Sequence, residues 1–119
     1  MSASLLIVDD EQTIRKTLRF FFEKKRYEVF EAETGAAALE MAESCQPDVV
    51  LLDVKLPDMD GLDVLPRLRE AAPGSVVLMM TAHGDAEMAR EAIRRRGAFW
   101  FFSKPIDMVM LELQVRGGC

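Results

Sequence analysis

Four runs of apolar residues end abruptly in side chains that can do chemistry. Leu5-Leu6-Ile7-Val8 runs into Asp9-Asp10-Glu11, and Val49-Val50-Leu51-Leu52 into Asp53. Val76-Val77-Leu78-Met79-Met80 ends in Thr81, and Phe99-Trp100-Phe101-Phe102 in Ser103-Lys104-Pro105. If the ends meet, three carboxylates crowd together. At ~4 Å and an effective dielectric of ~20, each pair repels by about 4 kcal/mol. Either their pKa values rise or a cation sits among them. Oxygen donors with no His or Cys favour Mg²⁺, which keeps waters and accepts a phosphate. Lys104 would add a second positive charge and Thr81 a hydroxyl donor. A carboxylate set among metal, ammonium and hydroxyl suits in-line phosphoryl transfer. The carboxylate attacks while the cations neutralise the equatorial oxygens.

The elements between these ends must bring them together. The run before Asp53 is apolar without alternation, as expected of a strand covered on both faces, and Pro57 forces the chain out of the sheet soon after. Ile14, Leu18, Phe21 and Phe22 recur at helical spacing, predicting a first helix over 11–25. A strand is expected over 27–32, a helix from Thr34-Gly35, and a third helix over 61–72 with Pro66 inside it, where a kink costing ~3 kcal/mol is expected. A fourth helix is expected from a cap near Asp85 to Arg96, with Gly97 at its C′ position. Strand 5 is expected over 99–102 and a last helix over 107–115. Five alternations of strand and helix require a parallel sheet with helices on both faces. The expected fold is therefore α/β, a flavodoxin-like (βα)5 doubly wound sheet of order 2-1-3-4-5. The four polar strand ends then share one crevice beside strand 1.

The 119 residues suit one domain, read as 1–116 with a short tail at 117–119. Half the residues are hydrophobic. A net charge of -5 argues against direct nucleic-acid binding by this chain. No apolar stretch approaches the ~20 residues of a membrane span, and no signal peptide is evident. Cys45 and Cys119 form no framework, so a reduced cytoplasmic chain is expected, with Cys45 a small buried apolar residue.

Val8-Asp9-Asp10-Glu11, Leu52-Asp53-Val54-Lys55-Leu56-Pro57, Met59-Asp60-Gly61, Thr81-Ala82 and Lys104-Pro105 stand in this order along the chain. Together they resemble the receiver domain of bacterial two-component response regulators, over essentially the whole chain. The resemblance implies that Asp53 accepts a phosphoryl group from a phosphohistidine on a sensor histidine kinase. It implies Mg²⁺ bound by Asp10, Asp53 and the backbone carbonyl of Lys55, with Asp9 acting through water. Lys104 would pair with the phosphoryl group and Thr81 would hydrogen-bond it. Phe101, three positions before Lys104, would be the aromatic switch residue, reporting by packing alone. Lys55 and His83 correspond to positions that tune phosphate lifetime. The face formed by helix 4, strand 5 and helix 5 would mediate phosphorylation-dependent homodimerisation or partner exchange. The wording around Asp58-Met59-Asp60-Gly61 and Met79-Met80-Thr81-Ala82-His83-Gly84-Asp85 looks most like nitrogen-regulation receivers. Those usually precede a sigma-54-activating ATPase and a DNA-binding domain, so the resemblance implies either a receiver with a missing C-terminal output domain or a single-domain protein. Three features depart from the pattern: Pro66, Trp100, and the 23 positions from Thr81 to Lys104, one more than the family leads one to expect.

Plainer readings compete. Asp9 and Asp10 could open a helix, where the dipole favours acid. Lys104 could be a surface lysine, His83 a loop residue, and Arg94-Arg95-Arg96 a solvated helix end. Trp100 either packs on a helix or joins an exposed patch. A nucleotide-binding enzyme would want a Gly-rich loop where Asp9-Asp10-Glu11-Gln12 stands. A haloacid-dehalogenase-type phosphatase would want a second Asp where Lys55 stands. A degenerate receiver, acting as an interaction module without phosphate, is the third rival.

Overall fold

A computed structural model of the chain describes residues 3–81, 86–95 and 97–118. The elements are β1 (Ser4–Val8), α1 (Gln12–Lys24), β2 (Glu28–Ala32), α2 (Gly35–Cys45), β3 (Val49–Asp53), α3 (Gly61–Ala71), β4 (Val76–Thr81), α4 (Ala86–Arg95), β5 (Trp100–Ser103) and α5 (Met108–Gly118). All strands are parallel, in the order β2-β1-β3-β4-β5. This is the flavodoxin-like (βα)5 order that the alternation of elements requires.

Two apolar layers explain why the central strands show no alternation. Leu6, Val8, Val50, Leu52, Val77 and Met79 meet Ala38 and Ala42 of α2, Val64, Leu65 and Leu68 of α3, and Ala92 of α4. The intervening residues, Leu5, Ile7, Val49, Leu51, Leu78 and Met80, meet Leu18 and Phe22 of α1 and Leu111 and Val115 of α5. Both sheet faces are covered, so polar residues are admitted only where a strand runs out. Among the described residues, no helix is long and apolar enough to cross a membrane.

The structure moves several expected boundaries. β2 begins at Glu28, because Arg26 takes a positive φ of 70° and Tyr27 turns back. The Tyr27 N–H donates to the Phe22 carbonyl at 3.1 Å, and its ring meets Phe22 edge-on. β5 starts one residue later than expected. α5 runs through Gly117 to Gly118, so the boundary expected at 116 coincides with no break in the helix. α3 passes through Pro66 uninterrupted. Pro66 itself is exposed. Cys45 is half-buried rather than buried, with Sγ donating to Met41 Sδ at 3.5 Å.

The Ala98 N–H bonds the Ala92 carbonyl at 3.0 Å, a span of six residues where a Schellman closure spans five. The turn after α4 is thus one residue wide of the usual closure. Ala92 keeps its buried position. Gly97 takes φ +85° there, and its carbonyl accepts from Arg69 Nη1 at 2.7 Å. Arg96 and the cap expected near Asp85 lie outside the described residues.

Candidate functional site

The sheet gathers the predicted residues at its C-terminal edge. Asp53 ends β3, between β1 and β4, and is only 6% exposed. Asp9 follows β1 directly and is wholly buried. Its N–H extends the ladder to the Ala32 carbonyl at 3.1 Å. Lys104 reaches across from the end of β5. Its Nζ donates to Asp9 Oδ2 and to Asp53 Oδ2, each at 3.0 Å, and lies 3.9 Å from Glu11 Oε1. One ammonium therefore bridges two buried carboxylates from strands one position apart in the sheet.

The electrostatics follow from that bridge. Burial acts most strongly on Asp53 and raises its pKa; the hydrogen bond from Lys104 opposes this, while the charge of Asp9 adds to the rise. For Lys104, burial works to lower the pKa, but the bonds to Asp9 and Asp53 outweigh it and the net shift is upward. The lysine is held in its charged form.

Asp9 and Asp10 have different surroundings. The Asp9 carboxylate is fully engaged: Oδ1 accepts the Glu11 N–H at 2.9 Å while Oδ2 holds Lys104. Asp9 and Asp10 do not open α1: the helix starts at Gln12 with Glu11 as its N-cap, no side chain caps it, and its first turn carries no acid. Asp10 is exposed, and among the described residues its carboxylate has no hydrogen-bond or ion-pair partner. Asp9, Asp10 and Asp53 each offer an oxygen within 4.8 Å of the other two. Three hard oxygen donors, one of them unengaged and open to water, fit a divalent cation of the Mg²⁺ kind.

Thr81 closes the crevice on the β4 side. It is wholly buried, and its hydroxyl has no hydrogen-bond partner among the described residues. An orphaned buried hydroxyl costs about 1–3 kcal/mol. The Lys55 N–H approaches Asp53 Oδ1 at 3.3 Å, and the Lys55 side chain is exposed. Phe101 is half-buried against the α2–α3–α4 layer. Its ring stacks on Trp100 at 6.0 Å. Trp100 is 48% exposed, so about half of it is open to solvent. Phe99 of the same edge and Val109, Met110 and Leu113 of α5 are also exposed apolar residues. His83 lies outside the described residues.

Gly61 shows why the turn after Asp53 reads as it does. A Cβ there would lie 2.5 Å from the Asp53 carbonyl oxygen and 2.7 Å from the Val54 backbone. Only glycine lets the first turn of α3 sit directly on the end of β3. Asp60 caps that helix through the Leu62 N–H at 2.9 Å. Asp58, from the same loop, caps a different helix. Its oxygens accept the N–H groups of Gly35 at 2.7 Å and Ala36 at 3.0 Å, at the start of α2. Those two bonds, that from Gly35 first, hold its pKa below the ordinary carboxylate value.

Sequence reasoning missed two participants. Arg15 donates through Nη1 to the Asp9 carbonyl at 2.7 Å, and Glu31 of β2 anchors it. An arginine among Lys16 and Arg19 reads as part of a solvated helix face, and a glutamate on an edge strand reads as surface. Asp58 as a cap was equally invisible, because its partner helix starts 23 residues earlier.

A model of the response regulator receiver domain family matches residues 5–116. The chain is 40% identical over 108 residues to sporulation initiation phosphotransferase F of Bacillus subtilis, covering 91% of this chain and 86% of that protein. It is 39% identical to regulatory protein AtoC of Escherichia coli over 94% of this chain, but spans only 24% of that protein. The crystal structure of a response regulator receiver domain protein from Clostridium thermocellum superposes with a TM-score of 0.91 at 30% identity, covering 98% of this chain and 93% of the other.

Proposed function

The chain belongs to the response regulator receiver domain family of two-component systems, and from that premise we propose that Asp53 is its phospho-acceptor. An Asp53 oxygen forms the new bond to phosphorus as the bond to the donor imidazole of a sensor histidine kinase breaks, and the imidazole nitrogen keeps the electron pair. The observation that carries this reading is the Lys104 ammonium, which lies 3.0 Å from Asp53 Oδ2 beside a buried, unpartnered Thr81 hydroxyl. Lys104 orients the attacking carboxylate and then follows the phosphoryl group. Thr81 supplies the hydrogen bond it does not spend beforehand.

Asp10, Asp53 and the Lys55 backbone carbonyl would hold Mg²⁺, with Asp9 acting through water. When bound, the ion neutralises charge on the phosphoryl oxygens. The exposed Asp10 carboxylate and the committed Asp9 carboxylate support this division of labour.

The chain itself acts as a regulatory acceptor, reacting about once per phosphorylation rather than turning over substrate. Phe101 moves inward as Thr81 engages the phosphoryl group, and the α4–β5–α5 face changes with it. The exposed Phe99, Trp100, Val109, Met110 and Leu113 support that face as a contact surface for a phosphorylation-dependent homodimer. The output is a C-terminal domain joined to a receiver, as in AtoC, or a separate partner of a single-domain protein, as a share of 86% of sporulation initiation phosphotransferase F supports. The nitrogen-regulation wording favours a sigma-54-type ATPase with a DNA-binding domain, and a share of 24% of AtoC's length is consistent with a longer whole. His83 and Lys55 tune the lifetime of the phosphorylated state, in a cytoplasmic setting.

The test is intact mass after incubation with a small acyl-phosphate donor, with and without Mg²⁺, for the wild type and Asp53→Asn. One Mg²⁺-dependent phosphoryl adduct that disappears in Asp53→Asn is expected. No adduct with bound metal would leave the phosphate-independent interaction module as the better reading.

A further inference from the structure

We propose that Arg15 is a positioning residue for the acidic site, setting the peptide plane that carries Asp10. The inference rests on the reading above that the site takes Mg²⁺.

Asp10 is the one carboxylate of the three with no partner among the described residues. Only its backbone can place it. That backbone is fixed by the peptide group joining Asp9 to Asp10, which is planar and turns as a unit. Its carbonyl oxygen, that of Asp9, accepts from Arg15 Nη1 at 2.7 Å. The other side of Asp9 is pinned by its own N–H, bonded to Ala32. With both ends of Asp9 held, the direction in which the chain enters Asp10 is determined.

Arg15 is itself anchored. Its Nε donates to Glu31 Oε1 at 3.1 Å, and its Nη2 lies 3.8 Å from Glu33 Oε2. Glu31 Oε2 accepts from Arg19 Nη1 at 2.7 Å. The Arg15 side chain is only 11% exposed, unlike a free surface arginine. The guanidinium is a rigid planar fork, so holding Nε on β2 also aims Nη1 at the turn. The clasp thus joins α1, β2 and the β1–α1 turn through one side chain.

Two explanations of an Arg15 effect predict opposite signs. Arg15 is a cation close to a cluster of carboxylates, so its charge alone disfavours a divalent ion, and losing it would tighten Mg²⁺ binding. Positioning predicts weaker binding, because Asp10 loses its orientation. Removing groups that orient metal ligands commonly weakens affinity by about tenfold or more.

Isothermal titration with Mg²⁺ at fixed ionic strength, on the whole chain, separates them. Arg15→Met is expected to bind Mg²⁺ about tenfold more weakly than wild type, with a cooperative thermal transition retained. Arg15→Lys keeps the charge but not the fork, and its affinity is expected to fall between the two. Unchanged or tighter binding in Arg15→Met overturns the proposal. If Arg15→Met does not fold, Arg15→Lys decides alone, and a wild-type affinity there overturns it. A wild type that binds no Mg²⁺ is a different failure, since it removes the metal reading itself and the positioning role with it.

Discussion

The backbone N–H of Lys104 donates to the carbonyl of Thr81 at 2.8 Å. This bond lies one step beyond the last β4–β5 register pair, Thr81 with Ser103. The ladder therefore ties together the two residues proposed to greet the phosphoryl group, while their side chains behave differently. Lys104 is already committed to Asp9 and Asp53. The Thr81 hydroxyl is buried and idle.

That idleness predicts a trade. Thr81→Val keeps the shape and removes an orphaned polar atom. It is expected to stabilise the unphosphorylated protein by about 1 kcal/mol in a denaturant titration. The same variant is expected to accept the phosphoryl group yet lose the response of the α4–β5–α5 face, read as amide shift changes on phosphorylation. A stability loss instead would mean that the hydroxyl has a partner in solution.

Gly61→Ala tests the contact between α3 and β3. The new methyl would press on the Asp53 carbonyl and the Val54 backbone, neither of which can rotate away. A loss of about 1–3 kcal/mol is expected from overpacking, with slower phosphorylation because the strain falls on the proposed phospho-acceptor. Equilibrium unfolding and the rate of adduct formation measure the two effects.

Asp58 gives a pH signature. Its folded-state pKa is depressed, with the Gly35 and Ala36 bonds as the main causes, so its contribution to stability is present above the ordinary carboxylate pKa of about 4. It is lost as the pH falls through the lower folded value. Asp58→Asn is expected to melt below wild type at neutral pH, with the gap closing in acid. A gap that persists at the lowest pH at which both proteins fold would show that the cap does not depend on charge.

Lys55 lies two residues past Asp53, with its side chain exposed at the mouth of the crevice. Its proposed role is to shield the aspartyl phosphate from water. Lys55→Ala is expected to lose phosphate severalfold faster, followed by the decay of the mass adduct. An unchanged decay rate would remove that role.

The sequence made the sheet and its reactive edge legible for one physical reason. Strands covered on both faces must be apolar throughout, so Asp9, Asp53, Thr81 and Lys104 could only mark strand ends. Elements held by single contacts were harder to read. Tyr27 looked like strand because it continues an alternation, and the left-handed Arg26 that turns it away has no signature of its own. The glycines at 117 and 118 looked like a tail because their low helix propensity is felt locally, whereas α5 is held by Leu111 and Val115 in the apolar layer they share with α1 and the central strands. Arg15 and Asp58 were missed because their partners lie on other elements.

The double use of the loop after β3 bears on where such a chain can change its length. Asp60 starts α3, and Asp58, two residues earlier, holds the start of α2. An insertion or deletion between Asp53 and Asp60 would shift both caps at once, and with them the turn that Gly61 packs against the reactive strand. That segment is frozen in length.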